Sequence, residues 1–120
     1  MRKMWAFIAM LAVLALAGEP AKGSGAVFRA CEPVRDMFKG TRYEGSDLYR
    51  VRARRVSCRT ARRVARKGTE RAVSEVPDPT GRVVVSYRAW TVFDDLRGPV
   101  DRFVAKASGG KRVRWLFGDI

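Results

Sequence analysis

The residues most able to do chemistry in this chain are arginines and lysines crowded into one segment, residues 50–68. Nine of its first 18 residues are basic and none is acidic. Guanidinium and ammonium groups bind phosphates, sulfates and carboxylates through charge-assisted hydrogen bonds. The candidate anion-binding residues are Arg50, Arg52, Arg54, Arg55, Arg59, Arg62, Arg63, Arg66 and Lys67.

Most catalytic and metal sites need residue types that this chain lacks. It contains no histidine, so Ser-His-Asp triads, Cys-His pairs and imidazole acid–base schemes are excluded. Its two cysteines have neither histidine nor a second cysteine pair to complete a zinc site. We therefore predict no metal, no cofactor and a protein that is not an enzyme.

Carboxylates and one serine–lysine pair leave a hydrolase open as the alternative. Adjacent strand residues point to opposite faces, so Asp94 and Asp95 would not flank one bond; we expect them in a turn. Ser108 and Lys111 match the S-x-x-K pattern, but the two glycines between them favour a hairpin turn. The other candidate carboxylates are those of Asp36, Glu44 and Asp47.

Two elements position the basic side chains. Residues 48–56 alternate as a strand with one wet side, which places Tyr49, Val51 and Ala53 on one face. The opposite face of this strand holds Arg50, Arg52 and Arg54.

A helix follows, with Ser57 as its predicted N-cap. Small residues recur at helical spacing on one side, which lets the helix approach a sheet closely, and the basic residues cover the other side. A loop over residues 75–81, with Pro77 and Pro79, ends the helix. The small-residue side holds Cys58, Ala61, Ala65, Gly68 and Ala72, with Val64 at its margin.

The remaining residues favour further strands. Residues 82–93 predict one long strand, residues 111–117 another, and residues 108–110 a turn. Residues 99–107 fit either a strand or one face of a short helix, and we favour the strand. The expected fold is a single α+β domain, with one main helix on an antiparallel sheet of three to four strands and one disulfide.

The first 17 residues have the composition of a secretory leader. Arg2 and Lys3 precede an unbroken apolar run over residues 5–17. A membrane-spanning helix needs roughly 20 apolar residues, so we favour cleavage over an uncleaved anchor and expect no transmembrane span in the mature chain. The cut falls after residue 17 or as late as residue 26, residues 18–30 form a flexible junction, and residues 31–120 form the domain.

Export places Cys31 and Cys58 where thiols oxidise, and we predict that they form one disulfide. The leader holds two basic residues and no acidic one, so 23 basic and 12 acidic residues remain, a formal charge of +11. Such a chain attracts polyanions whatever its fold.

Three stretches of the sequence resemble a known group of proteins. They are VSCRTARRV at residues 56–64, the preceding YRVRA at residues 49–53, and GGKRVRW at residues 109–115. The pattern is similar to small exported, uncharacterised proteins of high-GC, actinobacterial-type bacteria, which combine a leader, an early cysteine and a V-S-C-x-x-A-R helix start. The resemblance implies architecture and export, with no established activity.

These observations predict a secreted or cell-envelope protein that binds an anionic polymer, lipid headgroups or an acidic partner protein. Nucleic acid would be bound without sequence specificity, since no recognition module appears. If strand and helix expose their arginines to the same region, one continuous basic surface forms. The helix start, with Arg55, Arg59 and Arg63, is then the best local anion site. Besides the hydrolase, a soluble exported protein without a specific anionic ligand remains an alternative.

Overall fold

Six strands and one helix form the part of the chain that the structure describes, residues 27–118 of a computed structural model. The predicted leader, its cleavage sites and residues 18–26 of the predicted junction lie outside the described residues. The elements are β1 (Arg29–Ala30), β2 (Asp47–Arg54), α1 (Cys58–Ala72), β3 (Arg82–Tyr87), β4 (Trp90–Asp95), β5 (Asp101–Ala107) and β6 (Lys111–Gly118).

All six strands belong to one antiparallel sheet in the order β1-β2-β6-β5-β4-β3. The last four strands form a meander, and β2 pairs with β6 although the helix and three strands lie between them in the chain. One helix on an antiparallel sheet confirms the predicted fold class. The predicted number of strands, three to four, is wrong.

Two features account for the additional strands. Residues 82–93, predicted as one long strand, fold back at Arg88 and Ala89, so that Tyr87 pairs with Trp90. Two-residue hairpin turns usually contain Gly, Asn or Asp, but here Arg88 itself adopts a positive φ of 54°. β1 is only two residues long and is held at the sheet edge by β2. Residues 101–107 form a strand, the favoured of the two alternatives.

The helix begins as predicted. Ser57 is the N-cap, and its hydroxyl accepts a hydrogen bond of 3.2 Å from the backbone N–H of Thr60. The small-residue side is buried apart from the half-buried Cys58, and Gly68 packs closely on the sheet, since a Cβ there would lie 3.1 Å from a Val92 methyl. α1 packs on one face of the sheet, against β2, β6, β5, β4 and β3.

The predicted disulfide is present. Cys31 and Cys58 are bonded, with their Cα atoms 5.5 Å apart. The bond joins the segment after β1 to the first turn of α1, and the N–H of Cys31 also donates to the carbonyl of Val51 in β2. No helix among the described residues has the length and apolar character needed to cross a bilayer.

The alternation predicted for β2 holds only in its second half. The pairing of β2 with β6 shifts register between Tyr49 and Arg52, and Arg50 takes a positive φ of 52°. A bulge of this kind inserts one extra residue, so the side chains before it point to the opposite face of the sheet from the one that regular alternation predicts. Leu48 is therefore buried in the core, and Tyr49, which was predicted to share a face with Val51, points to the other side.

Candidate anion-binding surface

The structure divides the predicted basic residues between two opposite sides of the molecule. α1 packs on one face of the sheet, so the arginines on its outer side point away from the sheet. Val51 and Ala53 of β2 are buried beneath the helix, and successive strand residues alternate between faces. Arg52 and Arg54 therefore lie on the uncovered face, and the condition for one continuous basic surface is not met.

The uncovered face of the sheet carries basic side chains from three neighbouring strands. β6 lies between β2 and β5, so the charges of these strands form one block. We call this surface the basic sheet face; its members are Arg52 and Arg54 on β2, Arg112 and Arg114 on β6, and Arg102 and Lys106 on β5.

Like charges face each other directly across this surface. Arg52 is the cross-strand partner of Arg114, and Arg112 has Arg54 on one side and Lys106 on the other. Like-charged residues at directly opposed positions destabilise a sheet. The ion pairs Arg35–Asp47, Lys67–Glu70 and Arg97–Asp95 lie outside this block, and Asp95 pairs with Arg97 although it lies opposite Arg102. The arrangement therefore costs stability and leaves the positive charges of Arg52, Arg112 and Arg114 available to an external anion.

The bulge in β2 adds a further arginine to this side. Arg50 lines an open cleft of about 470 Å³ together with Arg52, Arg102 and Arg114. Bulges commonly redirect a side chain next to a functional site, and a positive φ at a non-glycine residue carries strain. The cleft also contains Val100, Val104 and Leu116, so its charged walls enclose an apolar floor.

Aromatic rings hold two of these cations in place. The guanidinium carbon of Arg114 lies 4.1 Å from the centroid of the Phe28 ring, and the Lys106 Nζ lies 5.3 Å from that of Phe93. Such cation–π contacts restrict the side chain without neutralising its charge. The charges are thus positioned before a ligand arrives.

The helix arginines form a second surface, which we call the basic helix face: Arg59, Arg62, Arg63 and Arg66. They line a shallow cavity of about 600 Å³ beside the disulfide. Arg62 is already engaged, since it donates to the carbonyls of Glu32 and Pro33 at 3.2 and 3.1 Å. Lys67 lies 3.6 Å from the Glu70 carboxylate, one helical turn further along.

The predicted anion site at the helix start is divided. Arg55 lies against the turn before β6, where a Cβ on Gly110 would come within 3.3 Å of its Cδ. Arg59 and Arg63 instead line the cavity beside the disulfide. The three arginines therefore lie along different surfaces, although Ser57 caps the helix as expected.

Of the two surfaces, the basic sheet face has more features of a built site. Its charges come from three strands of one sheet and include two held by aromatic rings. The basic helix face has the pattern of an ordinary solvated side of an amphipathic helix. Comparison with protein-family models, curated proteins and solved structures finds no match for this chain.

The residues considered for a hydrolase are not assembled into one site. Ser108 and Lys111 flank a short 3₁₀ turn between β5 and β6, with Gly109 at a φ of 82°. Asp94 and Asp95 belong to β4 and not to a turn, which corrects that prediction, but they do point to opposite faces. Asp95 binds the Arg97 guanidinium through both oxygens, at 2.9 and 2.8 Å, and this pairing lowers the pKa of Asp95.

The structure reveals one carboxyl pair that the sequence did not indicate. Asp94 is 2 % exposed and lies on the helix side of the sheet with Asp101, on the neighbouring strand β5. Burial and the Asp101 carboxylate raise the pKa of Asp94 to about 8. Asp94 is therefore protonated at neutral pH and shares its proton with Asp101. The alternation of apolar and polar residues along β4 could not predict this pair, because the Asp94 carboxyl occupies a core position that is normally apolar.

This pair predicts a pH-dependent stability. In the unfolded chain Asp94 releases its proton near pH 4, whereas the folded chain holds it until about pH 8. The free energy of unfolding should therefore fall as pH rises between these values, by on the order of 1 kcal/mol per pH unit, and then level off. Urea denaturation at pH 5, 6, 7 and 8 measures this slope.

Asp94→Asn is the matched comparison, because asparagine can still donate to Asp101 but does not titrate. We expect the variant to be more stable than the natural chain at pH 8 and to lose most of the slope. Asp36→Asn, on an exposed loop, should leave the slope unchanged. Identical slopes in the natural chain and in Asp94→Asn would show that Asp94 titrates normally.

Proposed function

We propose that this protein is exported and binds an anionic polymer of the cell envelope or its surroundings through the basic sheet face. The Cys31–Cys58 disulfide is compatible with an extracytoplasmic location. Export itself rests on the leader composition of residues 1–17. Binding requires no catalytic group, in keeping with a chain that contains no histidine.

One observation carries this proposal: opposed like charges on three adjacent strands. Arg52 with Arg114, Arg54 with Arg112, and Lys106 with Arg112 face one another directly. A surface that only had to keep the protein soluble would gain stability by placing acidic residues opposite basic ones. An anion bound across the strands relieves the repulsion, so anion binding accounts for an arrangement that otherwise only destabilises the sheet.

The spacing of the charges favours a ligand with several anionic groups. Neighbouring strands lie roughly 4.8 Å apart, so the three strands place cations across a width of about 10 Å. The apolar floor at Val104 and Leu116 accepts the less polar backbone of such a chain between its charged groups. Several simultaneous ionic contacts also make the affinity strongly dependent on salt.

The test removes three charges from one surface and compares the result with removal of three charges from the other. The sheet-face variant is Arg52→Gln/Arg112→Gln/Arg114→Gln. The control is Arg59→Gln/Arg63→Gln/Arg66→Gln, which has the same net charge. We expect the sheet-face variant to bind polyphosphate about 100-fold more weakly. The slope of its log affinity against log salt concentration should also become shallower, by the equivalent of about three ionic contacts, whereas the control changes little. Fluorescence titration at several salt concentrations measures both quantities.

Stability provides an independent readout of the same variant. Because the substitutions remove opposed like charges, the free energy of unfolding of the sheet-face variant should not fall below that of the natural chain. It should rise by up to about 1 kcal/mol for each pair removed. Equal loss of binding in both variants would show that net charge alone attracts the polymer. Tighter binding to anionic vesicles than to polyphosphate would assign the surface to lipid headgroups.

A further inference from the structure

One edge of the sheet is open along part of its length. β3 is the last strand in the sheet order, and within residues 27–118 it pairs only with β4. Successive residues of an edge strand direct their backbone N–H and C=O groups alternately toward the neighbouring strand and away from it. The Gly81 carbonyl accepts from Leu96, beside β4, whereas the N–H and C=O of Arg82 bond to Asp78 on the outer side. Every second residue of β3 after Arg82 therefore also directs its backbone groups outward.

The residues with outward backbone groups are Val84 and Ser86. In the part of the chain that the structure describes, no backbone group bonds to them on that side. Proteins usually protect such an edge with a proline, a charged side chain, a bulge or a covering loop. Here the Asp78 loop closes only the position of Arg82, the β3–β4 register is unbroken, and residues 83–86 include neither proline nor a charge. Val84 is 56 % exposed, so its N–H and C=O and those of Ser86 are available to a further strand.

Space for an added strand lies beside these residues. An open cavity of about 380 Å³ is bounded by residues 84–86 on one side and by Arg71, Ser74 and Glu75, around the C-terminal end of α1, on the other. Neighbouring strands lie about 4.8 Å apart. A strand added at this edge would therefore project every second side chain into the cavity.

Two arginines place positive charge beside this edge. The guanidinium carbons of Arg71 and Arg88 lie 5.8 and 5.5 Å from the centroid of the Tyr87 ring, at the end of β3. The ion pairs formed within residues 27–118 involve neither of them. Glu75 lines the cavity as well, so the two arginines leave the local charge positive. Guanidinium groups oriented by one ring beside open backbone groups are complementary to a carboxylate on the added strand.

We infer that the β3 edge binds an extended acidic segment of a partner protein, which joins the sheet as a further strand. Its backbone forms hydrogen bonds with the N–H and C=O groups of Val84 and Ser86, as in other cases of strand addition. Directly opposed residues share a face of the sheet, so the residue opposite Tyr87 is acidic and reaches Arg71 and Arg88. The residue opposite Val84 is apolar and packs on the uncovered face. The site lies apart from the basic sheet face and does not depend on the function proposed there.

A second copy of this chain fits the edge less well. Pairing Val84 of one copy with Ser86 of the other would place Arg82 of the first copy opposite Arg88 of the second. Like charges at opposed positions destabilise a sheet, and each chain carries a large net positive charge. The charges around the edge therefore favour an acidic partner over a dimer.

The test uses short capped peptides built on a valine and threonine framework. Because Val84 and Tyr87 are three positions apart, the first peptide carries an aspartate at that distance on each side of a central valine. The second has lysines in place of the aspartates. The third is the aspartate peptide with N-methyl groups on its central residues, which cannot donate backbone hydrogen bonds.

Fluorescence anisotropy with the purified protein measures affinity, and hydrogen exchange measures protection of the Val84 and Ser86 N–H groups. We expect the aspartate peptide to bind at least about tenfold more tightly than either other peptide. At saturation it should slow exchange of both N–H groups by at least about tenfold, because they become hydrogen-bonded.

Variants test the backbone and the arginines separately. Val84→Pro removes an outward N–H without breaking the bonds to β4, since proline is tolerated on an edge strand where its nitrogen faces solvent. It should lose peptide binding, whereas Val84→Thr should retain it. Arg71→Gln/Arg88→Asn should bind the aspartate peptide about tenfold more weakly; asparagine suits the positive φ of Arg88. The control Arg59→Gln/Arg63→Gln, with the same change in net charge, should change little.

Three results would overturn the inference. The first is equal binding of the N-methylated peptide, and the second is retained binding in a folded Val84→Pro variant. The third is protection of the Val84 and Ser86 N–H groups that rises with protein concentration in the absence of peptide, which would assign the edge to a second copy. If Val84→Pro does not fold, the peptide series and the exchange measurement decide the question with the natural chain.

Discussion

Replacement of Trp115 by alanine is expected to lower the free energy of unfolding by about 4 kcal/mol. Trp115 is 1 % exposed and stacks on Phe103, with ring centroids 4.9 Å apart and planes inclined by 8°. Its Nε1 donates to the hydroxyl of Thr69 in α1 at 2.9 Å, so one side chain joins the sheet to the helix. A domain of this size is stabilised by only about 5 to 15 kcal/mol, and a loss of this size should be visible directly in urea denaturation.

Two further variants divide the effect into packing and hydrogen bonding. Trp115→Phe keeps a stacked ring and should cost less than the alanine replacement. Thr69→Val leaves the indole N–H without its acceptor and should cost about 1 to 3 kcal/mol. The Trp115→Phe/Thr69→Val variant should lose less free energy of unfolding than the two single variants lose together, because both substitutions remove the same hydrogen bond. A Trp115→Ala protein as stable as the natural chain would contradict this packing.

Removal of the disulfide is expected to destabilise the protein by about 3 to 4 kcal/mol. Cys31 and Cys58 are 27 positions apart in the chain, and this estimate follows from the loop-closure entropy of the unfolded state for a loop of that length. The bond also holds the segment after β1 against the first turn of α1, so reduction should loosen the cavity beside the basic helix face. Thermal unfolding with and without a reductant measures the effect.

The double variant Cys31→Ser/Cys58→Ser is the control for this experiment. It should unfold like the reduced protein, and the reductant should not change it further. Mass determination under non-reducing conditions tests the bond itself, since a closed disulfide lowers the mass by two hydrogen atoms relative to the reduced chain. Two free thiols in natively purified protein would contradict both the bond and the argument for export.

Stability and proposed function oppose each other on the basic sheet face. The cross-strand pairs Arg52–Arg114 and Lys106–Arg112 weaken the sheet, and the strongly packed core at Phe103 and Trp115 offsets this on the other face of the same strands. Such a division is typical of proteins whose binding surface is destabilising by itself. The stability measurement on the sheet-face variant tests whether the opposed charges weaken the sheet, and the polyphosphate titration tests the proposed function.

Local patterns predicted the helix correctly because its determinants are local. Ser57 bonds to an N–H three residues away, and the spacing of Ala61, Ala65 and Gly68 defines one side of a helix whatever it packs against. The turn at residues 108–110 followed from a similar short-range signal, whereas the local pattern of residues 99–107 fitted either a strand or a short helix. The disulfide followed from the presence of only two cysteines and the inference of export.

The predictions that were wrong depend on interactions between distant parts of the chain. The bulge at Arg50 turns Tyr49 away from the core, and only the pairing of β2 with β6 reveals it. The hairpin at Arg88 lacks the usual turn residues, so nothing in its sequence separates β3 from β4. Asp94 occupies a core position that an apolar residue would normally fill.

The amino-acid sequence by itself determined the helix with its cap, the cysteine pair and the large excess of positive charge. Tertiary structure decided where that charge lies and which carboxyl groups meet. The reason is physical: helix caps and side-chain periodicity act over a few residues, whereas a surface is formed by strands that pair across the chain. Arg52 and Arg114, or Asp94 and Asp101, become neighbours only when β2, β6, β5 and β4 are assembled beneath α1.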